Sequence, residues 1–282
     1  MKPQPPTPEL IAQQVATALS EDIGAGDATA ALIPADTHAQ AGILCREPAV
    51  LCGQPWLDEV FRQLSPDIQI RWLAEDGDRL NVDQPVCVLD GPARALLTGE
   101  RTALNFLQTL SGTATIARRY VLAVSGTRAK IMDTRKTLPG LRIAQKYAVR
   151  CGGAYNQRTG LYDGILIKEN HITAAGSIRA AVDSARTTAP DLPLQVEVEN
   201  LGELEQALAV GVRLILLDNF TPAMMREAVA LNAAKAQPAE LEASGNMTLE
   251  SIRPVAETGV DRISIGGLTK HVQAIDFSLR FR

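Results

Sequence analysis

The sequence predicts an α/β protein in two parts, a mixed α+β module followed by a region in which strands and helices alternate. Three observations carry that reading. Short β-like runs separated by turns fill residues 41–89. Apolar runs recur from Ala129 onward with amphipathic stretches between them. Nearly every one of those later runs ends in a polar or glycine-rich signature. Alternation of strand and helix calls for a parallel sheet with right-handed crossovers. About six strands are visible in the second part, fewer than the eight of a full (β/α)8 barrel, so an incomplete barrel and an open doubly wound sheet both fit.

The start, Met1-Lys2-Pro3-Gln4-Pro5-Pro6-Thr7-Pro8, lacks the apolar segment of a signal peptide and reads as a loose tail. A helix is expected over 9–19, then a turn-rich acidic segment, Glu21-Asp22-Ile23-Gly24-Ala25-Gly26-Asp27. Strands are expected at 42–45, 68–73 and 86–89 and a helix at 55–63. Glu75-Asp76-Gly77-Asp78 and Asp90-Gly91-Pro92 supply turns. Residues 94–110 read as a long helix: Leu96, Leu97, Leu104 and Leu107 share an apolar face, and Arg101 and Asn105 lie on another. Later strands are expected at 129–132, 164–167, 194–198, 214–217, 239–243 and 262–265. Helices at 177–187, 202–210, 222–232 and 249–257 separate most of them. Thr221-Pro222 marks one start, with a hydroxyl N-cap and then a proline whose missing N–H costs nothing in the first turn.

At 282 residues the chain is long enough for one large α/β domain and a smaller one. Hydrophobic residues make up 46% and aromatics only 4%, so the core must be built mainly from Ala, Val, Leu and Ile. No apolar run approaches the ~18 residues that cross a bilayer, and no membrane association is expected. Cys45, Cys52, Cys87 and Cys151 have neither Cys-x-x-Cys spacing nor nearby histidines. They read as buried or free thiols in a reducing cytoplasm rather than as zinc ligands. Charge is uneven: residues 94–168 hold 13 of the 28 Lys+Arg but only three acids, Glu100, Asp133 and Asp163, while the whole chain carries −4. A basic block inside an acidic protein points to a pocket for small anionic groups and away from nucleic acid.

The strand ends supply the candidates. Asp133-Thr134-Arg135-Lys136, Lys168-Glu169-Asn170-His171, Glu197 with Glu199-Asn200, Asp218-Asn219, Ser244-Gly245-Asn246 and Gly266-Gly267 follow the six runs in turn. In a parallel barrel the carboxyl ends of the strands share one face, and that face holds the active site. Lys168 and Asp218 end buried runs, where an uncommitted charge is costly, so each is either a site residue or half of a structural ion pair. Alternation puts Glu197 and Glu199 on one face, which leaves open which of them is merely solvated. Glycines after the last two runs let backbone N–H groups approach a phosphate beside a helix N-terminus; either pair alone fits an ordinary turn. His171 fits a structural histidine equally well, and His38 and His271 attract no role. There is no Ser-His-Asp order, histidine-rich cage or Gly-x-Gly-x-x-Gly after a strand. The set suits a sugar-phosphate substrate and a second anionic reactant, with carboxylates for ribose hydroxyls or a magnesium-bound diphosphate.

On these residues the chain resembles the quinolinate phosphoribosyltransferase family, the carboxylating nicotinate-nucleotide pyrophosphorylases. The resemblance runs from the Glu21–Asp27 string through Gly99-Glu100-Arg101-Thr102-Ala103-Leu104-Asn105 to Ser264-Ile265-Gly266-Gly267-Leu268-Thr269. Asp133-Thr134-Arg135-Lys136-Thr137 and Ile167-Lys168-Glu169-Asn170-His171 are its most specific strings. It implies an N-terminal α/β sandwich-like domain over 1–112, to which 271–282 return, and an incomplete (β/α) barrel of six or seven strands over 113–270. It also implies a homodimer with shared active sites, magnesium with phosphoribosyl diphosphate, and no organic cofactor.

Carried over by position, Arg101 reaches the partner subunit's site and, with Arg135, Arg158 and Lys168, holds the quinolinate carboxylates. Lys136 lies near phosphoribosyl diphosphate. Glu197 and Asp218 face the ribose and its magnesium-diphosphate, Ser244, Gly245, Asn246 and Gly266 cradle phosphate, and Ser264 and Gly267 are further implied substrate contacts. Thr134, Gln157 and His171 complete the implied substrate contacts; Lys136, Lys168, Glu197 and Asp218 are the implied catalytic set. One departure is visible: Gly152-Gly153-Ala154-Tyr155-Asn156-Gln157-Arg158 has Gln157 where the family usually has histidine. Glutamine can hydrogen-bond but not transfer a proton, and Arg158 is retained. Rival readings are a paralogous transferase found with molybdate transport, a nicotinate phosphoribosyltransferase, a lyase forming a Schiff base on Lys168, and a non-catalytic binder of phosphoribosyl diphosphate.

Overall fold

The computed structural model describes residues 3–282. In chain order its first half forms α1 (Pro8–Ile23), β1 (His38–Cys45), β2 (Ala49–Val50), α2 (Gln54–Leu64), β3 (Gln69–Trp72), β4 (Arg79–Leu80), β5 (Gln84–Pro92) and α3 (Ala93–Ala123). Then come β6 (Lys130–Met132), α4 (Arg142–Cys151), β7 (Ile165–Ile167), α5 (Glu169–Ala175), α6 (Ile178–Thr188), β8 (Leu194–Val198) and α7 (Leu201–Ala209). The last elements are β9 (Leu214–Asp218), α8 (Pro222–Ala233), β10 (Glu240–Ser244), α9 (Ile252–Ala256), β11 (Arg262–Ser264), α10 (Gly267–Lys270) and β12 (Phe277–Phe281). Contacts divide the chain into two compact units: Met1–Arg118 with Thr137–Gly153 and Leu268–Arg282, and Arg119–Lys136 with Ala154–Gly267. The border expected near 112 therefore falls inside α3, and residues 137–153 join the first unit.

The first unit carries a four-stranded antiparallel sheet, β12-β1-β5-β3, and the small pair β2-β4. α2 places Trp56, Leu57, Val60 and Phe61 in the core, each at most 1% exposed, because positions i, i+1, i+4 and i+5 share one helical face. Ile43, Leu89, Leu96, Leu104 and Leu107 belong to the same core. Burying one such side chain contributes about 1.5–3 kcal/mol.

Three local expectations change here. α1 runs on through Glu21 and Asp22, which lie in its last turn instead of a turn-rich segment, and stops at Gly24 with φ +52. α3 continues 13 residues beyond the expected end at 110. Ser111, Gly112 and Thr113 read as a break but are buried; a Cβ on Gly112 would lie 2.2 Å from the Gln273 carbonyl oxygen, so the glycine is there for close approach. α4 was not expected at all, and its Ala144, Tyr147 and Ala148 complete the core of the first unit.

The second unit is a six-stranded parallel sheet in the order β6-β11-β10-β9-β8-β7. An isolated parallel bridge, Met132↔Tyr155, adds the segment 154–158 outside β6. On a flat sheet that segment would stand about 24 Å from β8, at ~4.8 Å per strand. Gln157 Nε2 nevertheless donates to Gln195 Oε1 of β8 at 3.0 Å. The sheet is therefore curled into an incomplete barrel, which removes the open doubly wound alternative.

Candidate active site

All six strands of the second unit run in parallel, so the residues after them collect at one end. Lys168 follows β7 directly and N-caps α5. Its ammonium spans both oxygens of Glu197, at 3.1 and 2.9 Å. The Glu197 side chain is 10% exposed and that of Lys168 44%, so the cation faces the mouth and the acid stands behind it. The Lys168 backbone N–H donates to His171 Nδ1 at 3.0 Å, which makes His171 a capping acceptor for α5. Glu199, the alternative to Glu197, is the solvated one: it is exposed, and its N–H donates to Glu203 Oε2.

Arg135 and Arg158 gather in the same unit. Burial and then the positive charge of Arg135 push the Arg158 pKa down, with Asp163 acting the other way. Arg158 Nη1 also donates to the Gly164 carbonyl at 2.8 Å, which aims the guanidinium from just before β7. Lys136 is exposed and lies across Gly266: a Cβ there would meet Lys136 Cδ at 2.9 Å and Thr134 Oγ1 at 3.6 Å. A side chain at 266 would therefore displace Lys136.

Asp218 and Ser244 end β9 and β10 in register with each other. Asn219 follows with φ +55; its N–H donates to the Ser244 carbonyl at 3.1 Å and its Nδ2 to Asp218 Oδ2 at 2.8 Å. Gly245 has φ +135, and a Cβ on it would lie 3.0 Å from Asn219 Oδ1. Gly266-Gly267 lead straight into α10, as expected of a glycine turn beside a helix. Gly245-Asn246 do not, because α9 begins only at Ile252.

Two acids of the barrel turn inward, Asp133 just after β6 and Glu242 in the middle of β10. Asp133 is fully buried, accepts the Gln157 N–H at 2.8 Å and takes Asn156 Nδ2 at 2.7 Å, so it braces the site from behind. Glu242 was not singled out from the sequence. It is 1% exposed and receives Gln157 Nε2 at 2.7 Å and Gln195 Nε2 at 3.1 Å. Burial pushes its pKa up, against hydrogen bonds from Gln157, Gln195 and Ser264 and the charge of Arg262. The signal was present: Gln195 shares a face with Glu197 by alternation, and Glu242 sits between Leu241 and Ala243 in an apolar run.

Arg101 and Asn105 are exposed on α3, in the first unit. That unit has a cavity of about 580 Å³ between α1, α3 and Pro139-Gly140-Leu141. Its only charged lining residues are Glu21 and Asp22, which suits an anionic substrate poorly. All four cysteines are free and buried. Among the described residues one group has metal-ligand spacing, Cys52, Asp76 and Cys151, with ligand atoms within 4.8 Å of one another. Asp76 is already committed to the N–H groups of Gly53 and Gln54 and to the Tyr147 hydroxyl.

An incomplete parallel barrel whose strand ends gather cations, carboxylates and glycines defines an enzyme class built to hold phosphorylated and carboxylated small molecules. Comparison with known proteins makes the class specific. Residues 27–111 match the N-terminal domain of quinolinate phosphoribosyl transferase and residues 113–280 its C-terminal domain. The carboxylating nicotinate-nucleotide pyrophosphorylase of Mycobacterium leprae is 45% identical, over 93% of this chain and 94% of its own. The Homo sapiens protein of that name is 39% identical, over 89% and 85%. The structure of the nicotinate-nucleotide pyrophosphorylase from Francisella tularensis matches with a TM-score of 0.96 at 44% identity, covering 100% of this chain and 99% of that one. Human nicotinic acid phosphoribosyltransferase, at 16% identity and a TM-score of 0.67, shares the fold alone. The chain belongs to the quinolinate phosphoribosyltransferase family.

Proposed function

We propose that this chain moves the phosphoribosyl group of phosphoribosyl diphosphate onto the ring nitrogen of quinolinate and releases CO2. The products are nicotinate mononucleotide and diphosphate, in de novo NAD biosynthesis, which makes it a carboxylating pentosyltransferase. The observation that carries this reading is the pairing of Arg135 with Arg158. Burial and the charge of Arg135 both disfavour the Arg158 cation, with Asp163 opposing them in part, and a substrate carboxylate beside Arg158 would add favourable charge there.

Arg135 and Arg158 grip the two ring carboxylates as planar forks, and Lys168, its charge held by Glu197, adds a third cation. Lys136 and the turn at Ser244-Gly245 serve the phosphoribosyl end. The nitrogen lone pair forms the bond to ribose C1 as the bond from C1 to diphosphate breaks. Holding the reactants in line can contribute about 7–11 kcal/mol. The bond from ring C2 to its carboxylate then breaks, its electron pair stays on C2 beside the cationic nitrogen, and C2 takes a proton from water. The alkylated ring is its own electron sink, so the protein's part is electrostatic positioning.

Magnesium belongs with the diphosphate in this reading, and neutralises the leaving group's charge when bound. Asp218 suits it better than Glu197. Both Glu197 oxygens are engaged by Lys168, whereas Asp218 stands beside Ser244 at a strand end, and Mg²⁺ favours oxygen ligands and retained water. The same ion pair speaks against a Schiff-base lyase, whose lysine must be a neutral amine. Arg101, exposed on α3, is free to serve a partner subunit in a homodimer. Four free cysteines suit a reducing cytoplasm, and no helix among the described residues is long and apolar enough to cross a membrane.

The test is incubation with quinolinate, phosphoribosyl diphosphate and Mg²⁺. CO2 and mononucleotide should appear in equal amounts, with no product when nicotinate replaces quinolinate. Turnover of nicotinate, or no turnover of quinolinate, overturns the reading.

A further inference from the structure

Segment 154–158 carries Arg158, yet only one bridge, Met132↔Tyr155, ties its backbone to the sheet as a strand. Two buried carboxylates also hold it. Asp133 takes the Gln157 N–H and the Asn156 side chain. Glu242 closes a ring of three side chains: Gln157 Nε2 donates to Gln195 Oε1 and to Glu242 Oε1, and Gln195 Nε2 donates to Glu242 Oε2. Within the ring Gln157 gives twice, Gln195 gives and takes, and Glu242 takes twice; Ser264 bonds Glu242 from outside it. The ring closes only if residue 242 offers two acceptors. An amide at 242 would set one N–H against another, and turning the Gln195 amide over moves that clash without removing it.

We infer that Glu242, together with Asp133, is a positioning residue: it locks Gln157 and so aims the neighbouring Arg158 guanidinium at the substrate carboxylate. Gln157 in turn spends its N–H groups on the protein and offers the substrate no donor. This inference rests on the activity proposed above, and wild-type turnover of quinolinate checks that activity by itself.

The experiment is steady-state kinetics on the full chain, with melting curves as a check of folding. An orphaned buried donor corresponds to roughly five- to hundredfold, so Glu242→Gln should raise the quinolinate KM by about tenfold or more. Its kcat and its KM for phosphoribosyl diphosphate should stay within about threefold. Exchanging the two groups, Gln195→Glu with Glu242→Gln, restores one carboxylate and two amides and lets the ring close again with both Gln157 bonds intact. That double variant should return the quinolinate KM to within about threefold of wild type. A wild-type KM in Glu242→Gln, or a folded double variant no better than Glu242→Gln, overturns the inference. Should neither variant fold, Gln195→Ala decides, since it takes one acceptor from Gln157 and touches no implied substrate contact: a raised quinolinate KM at unchanged kcat supports the clamp, and an unchanged KM removes it.

Discussion

In the first unit the half-buried Asp76 is met by three donors: Gly53 and Gln54 donate backbone N–H groups to one oxygen and Tyr147 its hydroxyl to the other. Burial pushes its pKa up, and these donors hold it back. In the second unit Arg158 is half-buried, and burial and the charge of Arg135 lower its pKa while Asp163 offsets part of that. The first arrangement lowers the energy of a turn and a helix start. The second leaves the Arg158 cation disfavoured where it stands, which an anionic substrate would relieve. A buried acid met by three donors reads as structure, whereas two neighbouring cations at the strand ends read as a site.

Substitutions should separate the two regions. The largest effect is expected at Arg135. Arg135→Met should raise the quinolinate KM by about a hundredfold or more with the melting temperature little changed, because it removes a charged fork from the site rather than a side chain from the core. Arg135→Lys keeps the charge and loses the fork, and should fall between. A drop in melting temperature with normal kinetics would place Arg135 among the structural charges instead.

Next comes Arg101. Arg101→Ala and Lys168→Ala should each be nearly inactive, and an exchanged mixture should regain about a quarter of wild-type activity, since half the dimers would hold one intact site of two. No recovery despite demonstrated heterodimers would confine each site to one subunit.

Asp76→Asn should cost stability, about 1–3 kcal/mol by denaturant unfolding, because an amide cannot accept from all three donors, and should leave the quinolinate KM unchanged. The smallest change is expected at His171. His171→Ala removes only the cap on the Lys168 N–H, costing about 1 kcal/mol or less, with kinetics within about twofold. A large kinetic loss there would restore His171 to the substrate contacts.

Much of the barrel was legible because its strands are apolar runs closed by polar residues, and all six expected strands lie within a residue or two of their places. α4 was hidden because its buried positions include Gln145 and Lys146, which blur any apolar stripe. The far end of α3 was hidden because Ser111-Gly112-Thr113 resembles a turn until the backbone at Gln273 is seen against Gly112. Cations at the site were legible from charge density alone. Glu242 and Asp133 were not assigned to the framework, because their partners lie on segments far away in sequence, and only the curl of the sheet brings Gln157 to both β8 and β10.

The most direct measurement is calorimetric binding of quinolinate and of nicotinate, which lacks one carboxylate, to the same protein under the same salt. If Arg135 and Arg158 are kept apart to receive two carboxylates, quinolinate should bind about a hundredfold more tightly or better, and Arg135→Met should erase most of that difference. Equal affinities for the two acids in the wild-type protein would contradict it.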